Sequence, residues 1–250
     1  MKTLGILGGM SWESTLVYYR LLNQGVAQRL GGLHSAPLRL ASMDFAEIAA
    51  QQRAGDWAGA ARLLGGVAQQ LKAAGAEGLL LATNTMHKVA QPVTEACGLP
   101  LLHIGDATGK ALRAAGCRRA GLLGTRFTME DSFLSDHLAQ HHGVATIVPG
   151  QAERDEVHRI IYEELCRGVI LPASRERYRR IMASFADQGC EAIILGCTEI
   201  TLLTPPDHPP DHSPEANGWP LPLFDTTALH AHEAVQWMLG STDPETKESP

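Results

Sequence analysis

The sequence predicts an α/β protein of two similar, pseudo-symmetric domains, each a mostly parallel sheet flanked by helices, with the site in the cleft between them. Three observations carry that expectation. Short Val/Ile/Leu-rich runs alternate with longer amphipathic stretches, as βα units do. The runs are apolar throughout instead of alternating with polar residues, so helices should cover both faces of each sheet. The same pattern also occurs twice along the chain in the same order, the mark of an internal repeat.

In chain order, the strand-like runs are residues 4–7, 38–41, 78–81 and 101–104, then 120–123, 145–148, 192–195 and 221–224. Helical stretches such as 16–30, 57–74, 131–141 and 153–168 lie between them. Lys2-Thr3-Leu4-Gly5-Ile6-Leu7-Gly8 is echoed by Arg118-Arg119-Ala120-Gly121-Leu122-Leu123-Gly124. A Gly-x-Glu turn leads into an apolar run at Gly75-Ala76-Glu77 and again at Gly189-Cys190-Glu191. The first of these runs ends at Thr83-Asn84-Thr85 and the second at Cys197-Thr198-Glu199, so Thr83 corresponds to Cys197. Leu99-Pro100-Leu101 recurs as Leu221-Pro222-Leu223. The expected division is residues 1–104 plus 222–240 as the first domain, with the last helix returning to it, and 105–206 as the second. Residues 207–221, rich in Pro, Asp and His and carrying Asn217-Gly218, read as a surface loop. Residues 241–250 read as a frayed polar tail.

Composition narrows the function classes. With 250 residues, 44% apolar and 19% charged, the chain is long enough for two small cores. A net charge of −6 with no basic cluster argues against nucleic acid as a partner. Arg175, Arg177, Arg179 and Arg180 are interrupted by Glu176 and Tyr178, and read as a solvated helix face. No apolar run approaches the ~18 residues that cross a bilayer, and residues 1–10 read as a first strand instead of a signal peptide. The five cysteines are odd in number and lack a Cys-x-x-Cys pair, which fits reduced thiols in a cytoplasm and suggests neither disulfides nor a zinc knuckle.

Chemistry is expected where strands end. In open α/β sheets ligands bind beyond the carboxyl ends of the strands, against the N–H groups of the following helix. Thr83-Asn84-Thr85 and Cys197-Thr198-Glu199 both occupy such a place, and two facing halves would hold one small molecule between Thr83 and Cys197. A helix N-terminus favours a Cys197 thiolate, whereas an ionised Glu199 would raise the thiol pKa by repulsion; sequence does not decide between them. Cys97, Cys117, Cys166 and Cys190 lack a strand-to-helix context and read as small buried hydrophobes.

Three segments carry a family resemblance: Gly5-Ile6-Leu7-Gly8-Gly9-Met10-Ser11-Trp12-Glu13-Ser14-Thr15, Thr83-Asn84-Thr85-Met86-His87-Lys88, and Gly196-Cys197-Thr198-Glu199-Ile200. Together they resemble the cofactor-independent aspartate/glutamate racemases, over nearly the whole chain to about Leu239, and the Cys-Thr-Glu triplet is similar to the aspartate branch. The resemblance implies an enzyme with no cofactor and no metal, acting on a small amino acid, and a homodimer. In that family two cysteines flank the substrate α-carbon; one removes the proton and the other returns it to the opposite face. Cys197 matches the second, while Thr83 stands where the first should be. A Thr hydroxyl has no thiol-like pKa, so the implied site is asymmetric: Cys197 is base toward L-aspartate or L-glutamate, and Thr83 relays a proton or orients a water.

Asn84, Thr85, Thr125 and Thr198 are the expected donors to the substrate carboxylate, with helix capping as the competing role for each. Gly9 and Met10 would let backbone approach the ligand, and Glu199 would border the thiol. For an acidic side chain the candidates are Gln52, Arg53, His87, Lys88 and Arg126. Gly5-x-x-Gly8-Gly9 lacks the full dinucleotide-binding spacing. Asp106 and Asp225 read as helix N-caps. His208, His212, His230 and His232 lack partners at ligand spacing and read as surface histidines or supports for a neighbour. The rivals on the same scaffold are a single-cysteine decarboxylase, a hydantoin racemase, and a retired enzyme that only binds carboxylates.

Overall fold

The computed structural model describes residues 1–203 and 218–240. Most of the expected loop over 207–221 and the whole tail over 241–250 lie outside the described residues. Strands β1 (Leu4–Gly8), β2 (Leu38–Ser42), β3 (Gly78–Leu81) and β4 (Leu101–Leu102) form one parallel sheet in the order β2-β1-β3-β4. Strands β5 (Arg119–Gly124), β6 (Ala145–Ile147), β7 (Ala192–Gly196) and β8 (Leu223–Asp225) form a second in the order β6-β5-β7-β8. Each strand lies at a predicted apolar run, and the two sheets share one topology.

The repeated Gly-x-Glu turn explains why. Gly75 and Gly189 adopt positive φ (91° and 74°), where an L side chain is strained, and so reverse the chain after a helix. The glutamate that follows closes on the start of the neighbouring strand: Glu77 accepts from the Thr3 N–H at 2.6 Å, and Glu191 from the Arg118 and Arg119 N–H groups at 2.7 and 3.0 Å. Each turn thereby sets the register of a central strand pair, β1–β3 or β5–β7.

Helices α1 (Trp12–Leu30), α2 (Phe45–Ala54), α3 (Trp57–Ala73), α4 (Ala90–Cys97) and α5 (Ile104–Ala114) follow β1 to β4. After β5 come α6 (Arg126–Glu130), α7 (Phe133–His142), α8 (Gln151–Glu163) and α9 (Pro172–Asp187), and α10 (Thr226–Leu239) ends the described chain. Apolar clusters cover both faces of both sheets, as fully apolar strands require: Leu7, Leu79 and Leu81 pack against α3 and α4, whereas Leu4, Ile6 and Leu80 pack against α1 and α10. The four arginines of α9 are solvent-exposed, with Tyr178 between them buried.

Two expectations are corrected. Residues 223–225 were assigned with the first domain, but β8 pairs with β7 and completes the second sheet; only α10 returns, burying Ala231, Ala234, Val235 and Met238 against Tyr18 and Leu22. Asp225 is the expected N-cap, accepting from the Thr227 N–H at 2.8 Å. Asp106 is not: His103 caps α5 through Nδ1, and Asp106 sits in the first turn, where His137 and His142 hold it. Among the described residues no helix is long and apolar enough to cross a membrane.

Candidate active site

Both sheets point the carboxyl ends of their central strands into one cavity. Its wall comes from the loops after β1 (Met10, with Ser14 in α1), β3 (Thr83, Asn84, Thr85), β5 (Thr125) and β7 (Gly196, Cys197, Thr198, Glu199). Phe45 and Gln52 of α2, Ile161 and Tyr162 of α8, and Cys166 complete it. The shared strand order makes this geometry inevitable. In each sheet the crossovers leave the two central strands in opposite directions, and the crevice opens between their carboxyl ends.

The loops obey a pseudo-twofold relation across the cleft. Ser11 caps α1 and Thr125 caps α6, each accepting from the N–H three residues on, Ser14 and Thr128. Each cap is gripped from the opposite half. Glu199 accepts from the Ser11 and Ser14 hydroxyls, both at 2.7 Å. Thr85 meets the Thr125 and Thr128 hydroxyls at 3.1 and 3.4 Å. Thr125 therefore serves as both helix cap and cavity wall.

At the paired strand ends the chemistry diverges. The Cys197 thiol donates to Glu199 Oε2 at 3.0 Å. Burial pushes its pKa well above the ordinary thiol value, and the Glu199 carboxylate beside it pushes further. Both effects oppose the helix dipole. The segment after Cys197 is a single 3₁₀ stretch, Thr198–Leu203, too short to offset burial and a neighbouring carboxylate. The resting residue is a thiol. Among the described residues none hydrogen-bonds the Thr83 hydroxyl, so it has no general base at hand.

His87 fixes the Thr83 loop from behind. Its Nε2 accepts from the Ile104 N–H at 3.2 Å, so Nδ1 carries the proton and donates to the Thr83 carbonyl at 2.9 Å. Burial and two neighbouring histidines hold its pKa well below the usual value, which removes His87 as a cation for substrate. Lys88 is paired with Asp131 at 2.8 Å, and Arg126 with Asp155 at 2.8 Å. Arg53 is exposed at the end of α2. The lining residues are neutral apart from Glu199.

Asn84 is more informative. Thr226 spends its hydroxyl proton on the Leu195 carbonyl at 2.8 Å and can only accept from Asn84, which turns the Nδ2 group toward it at 3.0 Å. Oδ1 is left buried with no partner among the described residues, on a residue that lines the cavity. Gln52 is similarly underused, since Nε2 rests on the weakly accepting Met86 sulfur while Oε1 accepts from the Tyr162 hydroxyl at 3.3 Å. Thr198 accepts from Thr227 at 3.2 Å.

Of the site residues read from sequence, Thr83, Cys197, Met10, Gln52, Asn84, Thr85, Thr125, Thr198 and Glu199 line the cavity. Gly9 does not. At φ 84° its Cα lies so close to the Met43 backbone that a Cβ would sit 2.2 Å from the Met43 carbonyl oxygen, so Gly9 packs the loop from behind and places Met10. Cys166, read as an inert buried thiol, lines the cavity with its pKa pushed up to about 12 by burial and Glu199. Ser14, Phe45, Ile161 and Tyr162 were missed, although Ser14 lies within the segment that carried the resemblance. His230, read as a surface or supporting residue, is fully buried between the Tyr18 hydroxyl and the Leu102 carbonyl.

A site built from four strand ends of a duplicated parallel α/β fold, with a thiol and a hydroxyl at equivalent strand ends on one cavity, defines a class that sequence comparison identifies. The Asp/Glu/Hydantoin racemase family profile matches residues 7–234, and the chain belongs to that family. Its fold is similar to that of a Yersinia pestis protein described as a candidate Asp/Glu racemase, at 50% identity and TM-score 0.86, covering 96% of this chain and 100% of that one. An aspartate racemase homologue from Pyrococcus horikoshii is similar at 30% identity and TM-score 0.78, with the same coverages. The Picrophilus torridus aspartate racemase shares the fold at 17% identity and TM-score 0.67, covering 94% of each chain.

Proposed function

We propose that this chain racemises L-amino acids without a cofactor, acting on L-aspartate, L-glutamate and substrates with neutral polar side chains, with Cys197 and Thr83 on opposite faces of the α-carbon. The observation that carries the reading is the pairing of these two residues at equivalent strand ends on one cavity. Asn84 Oδ1, a buried acceptor lacking a donor, suits the substrate ammonium. The hydroxyls of Thr85, Thr125 and Thr198 suit the carboxylate, whose negative charge grows as the α-proton leaves. Gln52, with Tyr162 beside it, is the neutral donor for the side chain.

The high thiol pKa shapes the chemistry. Cys197 becomes a base by passing its proton to Glu199 Oε2; the thiolate then takes the α-proton, leaving an enediolate. A water held by Thr83 returns a proton to the opposite face, giving the D product, and the hydroxide left behind takes the proton held by Glu199, which restores the resting thiol and carboxylate. In the reverse direction the resting thiol is already the acid that protonates the enediolate. Glu199 is suited to this exchange because Ser11 and Ser14 keep it pointed at the sulfur whichever partner holds the proton.

The test is α-proton exchange in deuterium oxide with L-aspartate, L-glutamate and L-homoserine, for the native chain and Cys197→Ser. Label uptake with appearance of the D enantiomer, lost in Cys197→Ser, supports the racemase. Carbon dioxide release from arylmalonates would favour a decarboxylase, turnover of hydantoins a hydantoin racemase, and ligand-dependent melting without exchange a binding protein; any of these without racemisation overturns the reading.

A further inference from the structure

Away from the cleft, α5 and α7 bring together a cluster unused by the chemistry above. His103, Asp106 and His137 present one donor atom each, all within 4.8 Å of one another. The rings of His103 and His137 stack at 4.0 Å, and Asp106 Oδ1 accepts from His137 Nε2 at 2.7 Å and from His142 Nε2 at 3.0 Å. His103 uses Nδ1 to cap α5, which leaves Nε2 with no partner among the described residues. We propose that His103, Asp106 and His137 form a binding site for a divalent transition-metal ion of the zinc type, with His142 supporting the carboxylate.

Donor set and geometry agree. Two imidazoles and one carboxylate with a fourth position open to solvent are a zinc-compatible set, and tetrahedral zinc asks its donor atoms to lie roughly 3.4 Å apart. The donor atoms, within 4.8 Å of one another, would have to close by at most about 1.4 Å to reach that spacing. On binding, Asp106 exchanges its hydrogen bond from His137 for a bond to the metal, and the His137 proton moves to Nδ1. His142 still donates to Asp106, the kind of outer contact that orients a ligating carboxylate.

The second observation is in the helix backbone. Gly105 and Gly109 lie one turn apart on α5, a placement that costs about 1 kcal/mol each against Ala. A Cβ at Gly105 would meet His137 Cδ2 at 2.7 Å and His103 Nδ1 at 3.0 Å, and one at Gly109 would meet the His142 ring at 2.2 Å. The two glycines clear the room in which three imidazoles converge on one carboxylate. Asp106 is 40% exposed at its side chain and His137 18%, so an ion has a path in. Sequence spacing hid the cluster because its ligands come from two helices.

The test uses the full chain, stripped with a chelator and titrated with Zn²⁺ and, for its visible spectrum, Co²⁺. One ion per chain is expected, with Co²⁺ giving a d–d band free of sulfur charge transfer. Binding should weaken at least 10-fold in His137→Ala and in the near-isosteric Asp106→Asn, and about 10-fold in His142→Gln. It should be unchanged in the double variant His208→Ala/His212→Ala and in Cys197→Ser. No uptake by the native chain, equal uptake by folded Asp106→Asn, or loss of the ion on removing Cys197 or the His208/His212 pair would each overturn the assignment. Racemase activity is not part of the readout, so the two proposals fail separately.

Discussion

The loops after β3 and β7 hold equivalent places in the two halves, yet the first presents an unassisted hydroxyl and the second a thiol bonded to a carboxylate. Around them the halves are alike: Glu77 and Glu191 fix the same strand starts, and Ser11 and Thr125 cap the same helices. The scaffold has kept its symmetry while the strand-end triplets have parted, Thr83-Asn84-Thr85 against Cys197-Thr198-Glu199. Cross-cleft contacts survive at Thr85 and at Glu199, but only the second carries charge. A charged acceptor can thus stand on one face of the cleft without disturbing the frame that supports both.

The largest effect is expected when the thiol is removed. Cys197→Ser should lower exchange from L-substrates about 1,000-fold, because the serine hydroxyl ionises far above the thiol, with unchanged circular dichroism. Glu199→Gln should cost about 100-fold in the same assay by removing the thiol's proton acceptor. That variant also carries a pH signature. Glu199 raises the Cys197 pKa, so the native thiol alkylates only at high pH; without the carboxylate, the midpoint for iodoacetamide labelling of the Cys197 peptide should fall. An unshifted midpoint would mean that burial alone sets the pKa.

The comparison sharpens if the halves are made alike. Thr83→Cys should restore a thiol on the second face and raise exchange from D-substrates about 10-fold or more, with little change toward L. Smallest is the cost of severing the neutral cross-cleft contact. Thr85→Val should lower stability by about 1 kcal/mol, read as a reduced urea midpoint at constant slope.

Most of this frame was legible in the sequence because its signals are local. All eight strands among the described residues lie at apolar runs, and Gly75-Ala76-Glu77 and Gly189-Cys190-Glu191 announced the repeat within a few residues each. The strand-end clusters were legible for the same reason: a loop after a central parallel strand has one place to point. What escaped depended on contacts between distant segments. Cys166 gave no local sign that the turn after α8 would bring it to the cavity, and the Cys197 pKa turned on burial together with the Glu199 charge, and burial is not revealed by spacing. Asp106 has the look of a cap, but an imidazole from His103 took that position. The placement of β8 was missed because its pairing with β7 and the return of α10 send neighbouring residues to different halves.

The return of α10 decides how the molecule can be divided. The hydrophobic cover over Leu4, Ile6, Tyr18 and Leu22 is supplied by α10, and the Lys2 N–H donates to the Met238 carbonyl at 2.8 Å. A fragment ending near residue 104 would expose a greasy flank, while the remainder would carry an orphan C-terminal helix with nothing to clasp. However modular its ancestry, the present polypeptide is clasped where α10 folds back on β1 and α1, and a cut at its midpoint does not yield self-sufficient parts.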